Sequence, residues 1–206
     1  MKHQRWTALD DFLPCLAQSM QPRSKGLHVS QLYTVLHPSP SSSFTEADLA
    51  LFAIGGFAVE HVLERGLAAM FEERGLGAVV RPGEIVSSEG IICSPDLYFH
   101  EDGELIIGDI KAKWMSTKDF PMEPGENEMP PRIEKNLTQL QSYLHVQSEL
   151  DQRAYTRGRL IIYFVNGNWR PPKPALLGWD LEWTVQEIEE TWAALVQIGA
   201  EYDLRA

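Results

Sequence analysis

Residues 94–114, SPDLYFHEDGELIIGDIKAKW, decide the fold prediction for this chain of 206 residues. An apolar segment follows Asp96, and the Asp-Gly dipeptide at 102–103 is typical of the tight turn of a β-hairpin. Beyond the turn, apolar and polar residues alternate around Asp109 and Lys111, as they do in a strand with one buried face. Side chains two residues apart point to the same side of a strand. The stretch therefore predicts a hairpin that gathers two carboxylates and a lysine in one site.

These three side chains suit one kind of chemistry. Two carboxylates can hold a divalent cation, and a lysine beside them can orient a water for attack on a phosphodiester. The residues also allow a plainer interpretation, in which Asp96 caps a turn after Pro95 while Asp109 and Lys111 form a solvated strand face. The order of the elements around the hairpin decides between the two interpretations.

The surrounding sequence predicts a helix, three strands, a helix and a strand. Thr45 caps a long helix that continues to residue 73 and ends near two glycines, and its apolar residues lie nearly all round, which predicts burial. The mid-helix glycines are attributed to close packing. The remaining core elements are strands at 78–86, 90–100 and 104–114, a loop at 115–131, a helix at 132–149 and an apolar strand at 160–165.

Further elements are predicted on both sides of this core. Ser30 caps a short helix at 31–36, and another helix covers 9–20. A strand at 175–183 precedes a capping box at 184–187, which opens a last helix to about residue 200.

This element order, with Pro95-Asp96 and Asp109-Ile110-Lys111 in the second and third strands, resembles the PD-(D/E)xK nuclease superfamily. The resemblance implies an α/β, restriction-endonuclease-like αβββαβ core with a mixed central sheet and additional N- and C-terminal helices. The core covers about 45–165 of a single domain spanning 1–206. The resemblance also implies DNA as the partner and Mg²⁺ or Mn²⁺ as the cofactor, since hard oxygen ligands select these ions.

The long helix carries a second motif of the superfamily. Gly56 and Glu60 are similar to the Gly-x-x-x-Glu helix of the RecB-like and phage-type nucleases, which supplies an acidic metal ligand. The alternatives for Glu60 are an ion pair with an arginine and a position at the helix surface. The sequence leaves the role of His61 open between a metal ligand and a buried histidine with satisfied hydrogen bonds.

The resemblance implies a role for each residue of the hairpin. Asp96 is the bridging metal ligand, Asp109 and the carbonyl of Ile110 are further ligands, and Lys111 positions the attacking water and stabilises charge on the phosphate. Glu60 is counted with Asp96, Asp109 and Lys111 as catalytic.

Three further residues are expected to contact the substrate. Gln139 and Tyr143 are similar to the Gln-x-x-x-Tyr motif of the RecB-like nucleases, and their spacing of four puts them on one helix face. Lys113 either contacts a phosphate or is a solvated strand end. Arg23 and Lys25 are interpreted as a basic turn rather than as a site that holds a DNA end.

The composition of the chain restricts the functions and locations that it can have. A net charge of −11 warns against strong DNA binding, because phosphate neutralisation provides most of that affinity, but bound cations reverse the local sign. The two cysteines exclude a disulfide framework and a four-cysteine iron–sulfur cluster within the chain. The sequence has no apolar run of roughly 20 residues and no signal core after its first residues, so we expect a cytoplasmic protein without a membrane span.

The resemblance implies a divalent-metal-dependent deoxyribonuclease, with exonuclease action in recombination, repair or phage replication. One alternative is a restriction-type endonuclease, and another is a non-catalytic DNA-binding or assembly protein that retains a nuclease fold. The concentrated negative charge of the motif argues against the last, since a binding module gains nothing from carboxylates beside phosphate. The oligomeric state is left open, a homo-oligomer included.

Overall fold

The computed structural model describes residues 24–38, 46–113, 129, 133–169 and 172–203. The predicted helix at 9–20, the cap Thr45 and nearly all of the predicted loop at 115–131 lie outside them. The described elements, in chain order, are β1 Leu27–His28, α1 Val29–Leu36, α2 Glu46–Arg74, β2 Ala78–Val80, β3 Ile85–Val86, β4 Ile91–Cys93, β5 Leu97–Glu101, β6 Glu104–Lys113, α3 Glu134–Asp151, β7 Arg157–Trp169, β8 Pro172–Glu182 and α4 Val185–Asp203.

A five-stranded mixed sheet, in the order β2-β5-β6-β7-β8, forms the centre of the fold. The β5–β6 hairpin is antiparallel, β6 and β7 are parallel, and β8 returns antiparallel to β7. A parallel pair needs a crossover connection, and α3 provides it between β6 and β7. The run α2, β2, β5, β6, α3, β7 is the predicted αβββαβ core.

The predicted strands at 78–86 and 90–100 are wrong in one respect, because each is divided between two sheets. β2 and β5 belong to the central sheet, whereas β3 and β4 pair with β1 in a separate three-stranded sheet. Pro82 follows β2 and Pro95 follows β4. A proline has no N–H to donate to a ladder, so each interrupts its strand and lets the chain change sheets.

The local signals of the hairpin and of the last helix are confirmed. Asp102 and Gly103 have φ angles of 50° and 81°, as a type I′ turn requires. Thr184 N–H donates to Glu187 Oε2 at 2.8 Å and Glu187 N–H donates to Thr184 Oγ1 at 3.2 Å, which completes the capping box. The prediction that Ser30 caps α1 is wrong: α1 begins after His28, whose backbone N–H bonds Gln31 Oε1 at 2.8 Å.

Two apolar clusters cover the two faces of the central sheet. On one face, α2 packs through Phe71, Leu63 and Leu67. The opposite face carries α3, with α1 and α4 beyond it, and it contains Ile107, Leu160 and Ile162. The strand predicted at 160–165 is accordingly buried on both faces, as expected.

The prediction that α2 is buried all round is wrong for its described side chains. Phe57 and Val62 are 47% and 68% exposed, because α2 lies against one face of the sheet only. A Cβ added at Gly56 would meet no atom within 4 Å, so close packing does not explain that glycine. No helix in the described ranges combines the length and apolarity of a bilayer span.

Candidate active site

The β5–β6 hairpin brings Asp96, Asp109 and Lys111 together. Asp96 lies just before β5, and Asp109 and Lys111 lie on β6. The backbone N–H of Ile110 donates to Asp96 Oδ2 at 2.8 Å, which holds this carboxylate against the neighbouring strand. The antiparallel register pairs Leu97 with Gly108, so the chain direction of the hairpin itself sets Asp96 beside Asp109.

Lys111 bridges the two carboxylates. Its Nζ donates to Asp109 Oδ1 at 2.7 Å and lies 3.7 Å from Asp96 Oδ2. The side chain of Asp109 is fully buried, whereas those of Lys111 and Asp96 are 25% and 21% exposed. The site therefore has a closed side at Asp109 and an open side at Lys111 and Asp96, from which a ligand can approach.

Burial and neighbouring charges have opposite effects on the pKa values of Asp109 and Lys111. Burial raises the pKa of Asp109, the Lys111 ammonium opposes that rise, and the charge of Asp96 adds to it. Burial alone would lower the pKa of Lys111, but the carboxylates of Asp109 and Asp96 outweigh it and raise that pKa above its ordinary value. Lys111 is therefore a cation at neutral pH, and its ammonium can donate hydrogen bonds.

One carboxylate oxygen of the site has no hydrogen-bond partner among the described residues. Asp109 Oδ2 is buried and accepts no hydrogen bond within the part of the chain that the structure describes. Leaving a buried carboxylate oxygen unsatisfied is costly, and a second carboxylate beside it adds repulsion. A cation shared by Asp109 and Asp96 would remove both costs. Oxygen ligands of this kind fit Mg²⁺ or Mn²⁺.

The structure does not bring Glu60 to the carboxylates of Asp96 and Asp109. Among the described residues no three His, Cys, Asp or Glu side chains form a group that could hold a metal ion. α2 packs on the sheet face of Ile106 and Ile110, whereas strand alternation turns Asp109 to the opposite face. Glu60, half-buried one turn before Leu63, stays a predicted ligand.

His61 lies on the outer side of α2. Its side chain is 60% exposed, and its Nδ1 lies 4.0 Å from Glu64 Oε2. The interpretation of His61 as a buried, satisfied histidine is therefore wrong, because its helix position points to solvent.

Gln139 and Tyr143 face the site from α3. Gln139 Nε2 donates to the Tyr143 hydroxyl, and both side chains are buried. Burial raises the pKa of Tyr143, and the nearby charges of Asp109 and Asp96 raise it further. The i, i+4 spacing thus gives one hydrogen-bonded unit beside the carboxylates. Lys113 continues the strand face of Lys111, and burial lowers its pKa against the opposing charge of Glu134.

One residue beside the site has no sequence motif. The Tyr33 phenol of α1 is close enough to Lys111 to act on its pKa, after burial and the two carboxylates. Tyr33 is half-buried and packs against the larger apolar cluster. Its only sequence signal is a place on an amphipathic helix, which does not indicate what that helix packs against.

A separate groove of about 510 Å³ lies at the C-terminal end of α3. Ser148, Tyr155 and Glu189 are among the residues that line it. It does not include Asp96, Asp109 or Lys111, so its volume says nothing about the hairpin site.

No family model matches this chain, and no curated protein sequence is similar enough to count as a match. Solved structures are similar to this chain over most of its length. The structure of LHK-Exo in complex with dAMP is 16% identical, covers 87% of this chain and 88% of that chain, and has a TM-score of 0.54. The structure of an alkaline exonuclease (LHK-Exo) from Laribacter hongkongensis is 15% identical with a TM-score of 0.45, and the covered shares are again 87% and 88%.

The first of these similarities confirms the predicted fold class. At 16% identity it shows the fold alone, which is a nuclease-like α/β fold with a mixed sheet and helices on both faces.

Proposed function

We propose that this protein is a divalent-metal-dependent deoxyribonuclease of the PD-(D/E)xK type. The observation that carries the proposal is the fully buried Asp109, held between Lys111 and Asp96, with one oxygen lacking a hydrogen-bond partner among the described residues. The fold shared with LHK-Exo, an exonuclease whose structure contains dAMP, supports the same reaction class.

Asp96 and Asp109 would hold Mg²⁺ or Mn²⁺, and the carbonyl of Ile110 is the proposed further ligand. When bound, the ion supplies an activated water and neutralises charge on the phosphate and on the leaving oxygen. The chain offers two groups to the ion: the Oδ2 atom of Asp109 and the carboxylate of Asp96, which is the more exposed of the two.

Lys111 acts as a cation in the hydrolysis. A water oxygen forms a bond to phosphorus while the bond from phosphorus to the leaving oxygen breaks. The proton that the water loses passes to solvent, and the leaving oxygen takes a proton from solvent. Negative charge grows on the phosphate oxygens, and the Lys111 ammonium stabilises it from a site that is already organised around Asp109. Its proposed contribution is therefore electrostatic and orienting.

Gln139 and Tyr143 place the substrate strand. Their shared hydrogen bond fixes both side chains beside the carboxylates, and an amide and a hydroxyl suit contacts to the DNA backbone. Lys113, further along the same strand face, would contact a neighbouring phosphate.

We further propose that cleavage proceeds from DNA ends. With a net charge of −11 the protein gains little from long-range attraction to duplex interiors, and a few local contacts must hold the substrate. Linear DNA should be degraded progressively in Mg²⁺, whereas a covalently closed circle of the same sequence should survive.

The experiment compares the two substrates at equal phosphate concentration and follows acid-soluble nucleotide and intact circle on a gel. A nicked form of the same circle is the matched control for topology. Cutting of closed circles as fast as linear DNA would contradict end-dependent action and leave a restriction-type endonuclease in its place.

A further inference from the structure

The groove at the C-terminal end of α3 is lined by three parts of the fold. These are the turn between β3 and β4, the C-terminal part of α3 with the residues that follow it, and the start of α4. Its volume of about 510 Å³ lies within the roughly 300–1,000 Å³ that is usual for ligand sites. The groove is separate from the hairpin of Asp96 and Asp109, and the proposed function makes no use of its lining residues.

Negative charge dominates this groove. The carboxylates of Glu89, Glu149 and Glu189 line it, against one guanidinium, that of Arg153, among the described lining residues. The Arg153 guanidinium lies over the ring of Tyr155, 5.4 Å from its centroid. The last turn of α3 has no basic residue, so the negative end of its helix dipole is not compensated within the helix. The groove therefore favours a cationic ligand and repels the phosphates of DNA.

His145 contributes a nitrogen atom without a hydrogen-bond partner to the wall of the groove. Its ring stacks on Trp192, with the centroids 4.7 Å apart and 16° between the planes, which restricts its rotation. Its buried Nδ1 makes no hydrogen bond among the described residues and lies 3.5 Å from Glu189 Oε1. Because the Glu189 side chain is 60% exposed, it can move and admit a ligand donor between the two. With the ring proton on Nε2, His145 accepts a hydrogen bond at Nδ1.

We propose that this groove docks a lysine side chain on a basic segment of a partner protein. A lysine ammonium has three N–H donors and no acceptor, which suits a site of carboxylates and one imidazole nitrogen. Its alkyl stem packs along apolar surface, which Ala154 and the 49% exposed Val185 supply in the same groove. Val185 can also contact an apolar residue next to the lysine, which favours a protein segment over a free polyamine. The docking does not depend on the proposed nuclease activity.

Glu189→Gln should weaken the binding of a short labelled peptide of alternating lysine and leucine, measured by fluorescence anisotropy with the full chain at physiological salt. We expect a Kd about tenfold above that of the wild type, because one carboxylate of a partly desolvated ion pair is lost. In a ¹H–¹⁵N spectrum of the wild type, the ring signals of His145 should shift as the peptide is added. The melting temperature of the variant should not change, since the Glu189 side chain is mostly exposed.

Glu190→Gln is the matched control. It removes the same charge from the next position of α4, but Glu190 accepts a hydrogen bond from Gln186 Nε2 at 2.8 Å and does not line the groove. Its Kd for the peptide should stay within about twofold of the wild type, as expected for an exposed charge outside the contact. A peptide with glutamate in place of each lysine controls for the apolar contact and should not bind.

Three results would overturn the lysine-docking groove. The first is the absence of saturable binding of the lysine–leucine peptide by the wild type. The second is an equal rise of Kd in both variants, which would indicate only long-range attraction to an acidic protein. The third is displacement of the peptide by an equal concentration of spermidine, which would assign the groove to a polyamine. The assay contains no DNA and no divalent metal, so its outcome is independent of the proposed nuclease function.

Discussion

Asp109→Asn is expected to reduce DNA hydrolysis by roughly a thousandfold, the scale of losing a central electrostatic group in a water-poor site. Asparagine keeps the shape of the buried side chain but removes the charge that the proposed metal ion needs. The fold should persist for two reasons. Lys111 Nζ keeps the carboxylate of Asp96 as a counter-charge, 3.7 Å from its Oδ2 atom, and the buried site loses a desolvated charge. Initial rates of nucleotide release from end-labelled linear DNA, beside a thermal melt, test both parts.

Asp180→Asn is the matched control for that substitution. Asp180 is 60% exposed on β8, where it pairs with Arg159, so its rate should stay close to that of the wild type. Gln139→Ala should fall between the two, since positioning losses are graded. Asp109→Asn with near-wild-type rates in the presence of metal would remove Asp109 from the catalytic assignment.

Lys111→Ala is expected to abolish hydrolysis and also to lower the free energy of unfolding by about 3 kcal/mol at pH 8 without added metal. The reason is that Asp109, fully buried, would lose the ammonium that compensates its charge. Burial already raises the pKa of Asp109 above its ordinary value of 3.8, and loss of Lys111 raises it further.

The sign of the pH dependence follows from that raised pKa. Above about pH 4 the unfolded chain releases the Asp109 proton while the folded variant keeps it, so stability falls as pH rises toward the folded-state pKa. The slope should reach about 1.4 kcal/mol per pH unit. The wild type shares this fall up to its own Asp109 pKa of about 8, so the variant should keep losing stability above that pH, where the wild type levels off. Urea unfolding of both proteins from about pH 6 to about pH 10 measures the difference.

The double variant Asp109→Asn/Lys111→Ala is the control for this explanation. It removes the titrating group, so the additional pH dependence should vanish and much of the stability should return. Equal stability of Lys111→Ala and the wild type at pH 8 would contradict the buried ion pair.

The hairpin and the core order were predictable because they depend on local patterns. Period-2 alternation, an Asp-Gly turn and a capping box each act within a few residues. The division of the strands between two sheets was not, because the pairing of β1 with β4 joins segments far apart in the chain. The prolines at 82 and 95 were visible in the sequence, but they do not specify which sheet each fragment joins.

The features of the site also divide into those that local sequence predicts and those that depend on packing. The proximity of Asp96, Asp109 and Lys111 follows from the register of one hairpin, and the Gln139–Tyr143 contact follows from helical spacing. The relation of Glu60 to them depends on the rotation of α2 on the sheet, which an apolar, nearly uniform helix sequence does not fix. Tyr33 was missed because its position depends on the packing of α1 against the core, which no local pattern specifies.

The most direct test of the central claim is an assay of wild-type protein on end-labelled linear DNA with Mg²⁺, with Mn²⁺ and with EDTA, alongside Asp109→Asn at equal concentration. We predict nucleotide release by the wild type with either metal, none in EDTA, and almost none by the variant under any condition. Absence of cleavage by the wild type with both metals, or cleavage that survives EDTA and Asp109→Asn alike, would contradict a metal-dependent nuclease built on Asp96, Asp109 and Lys111.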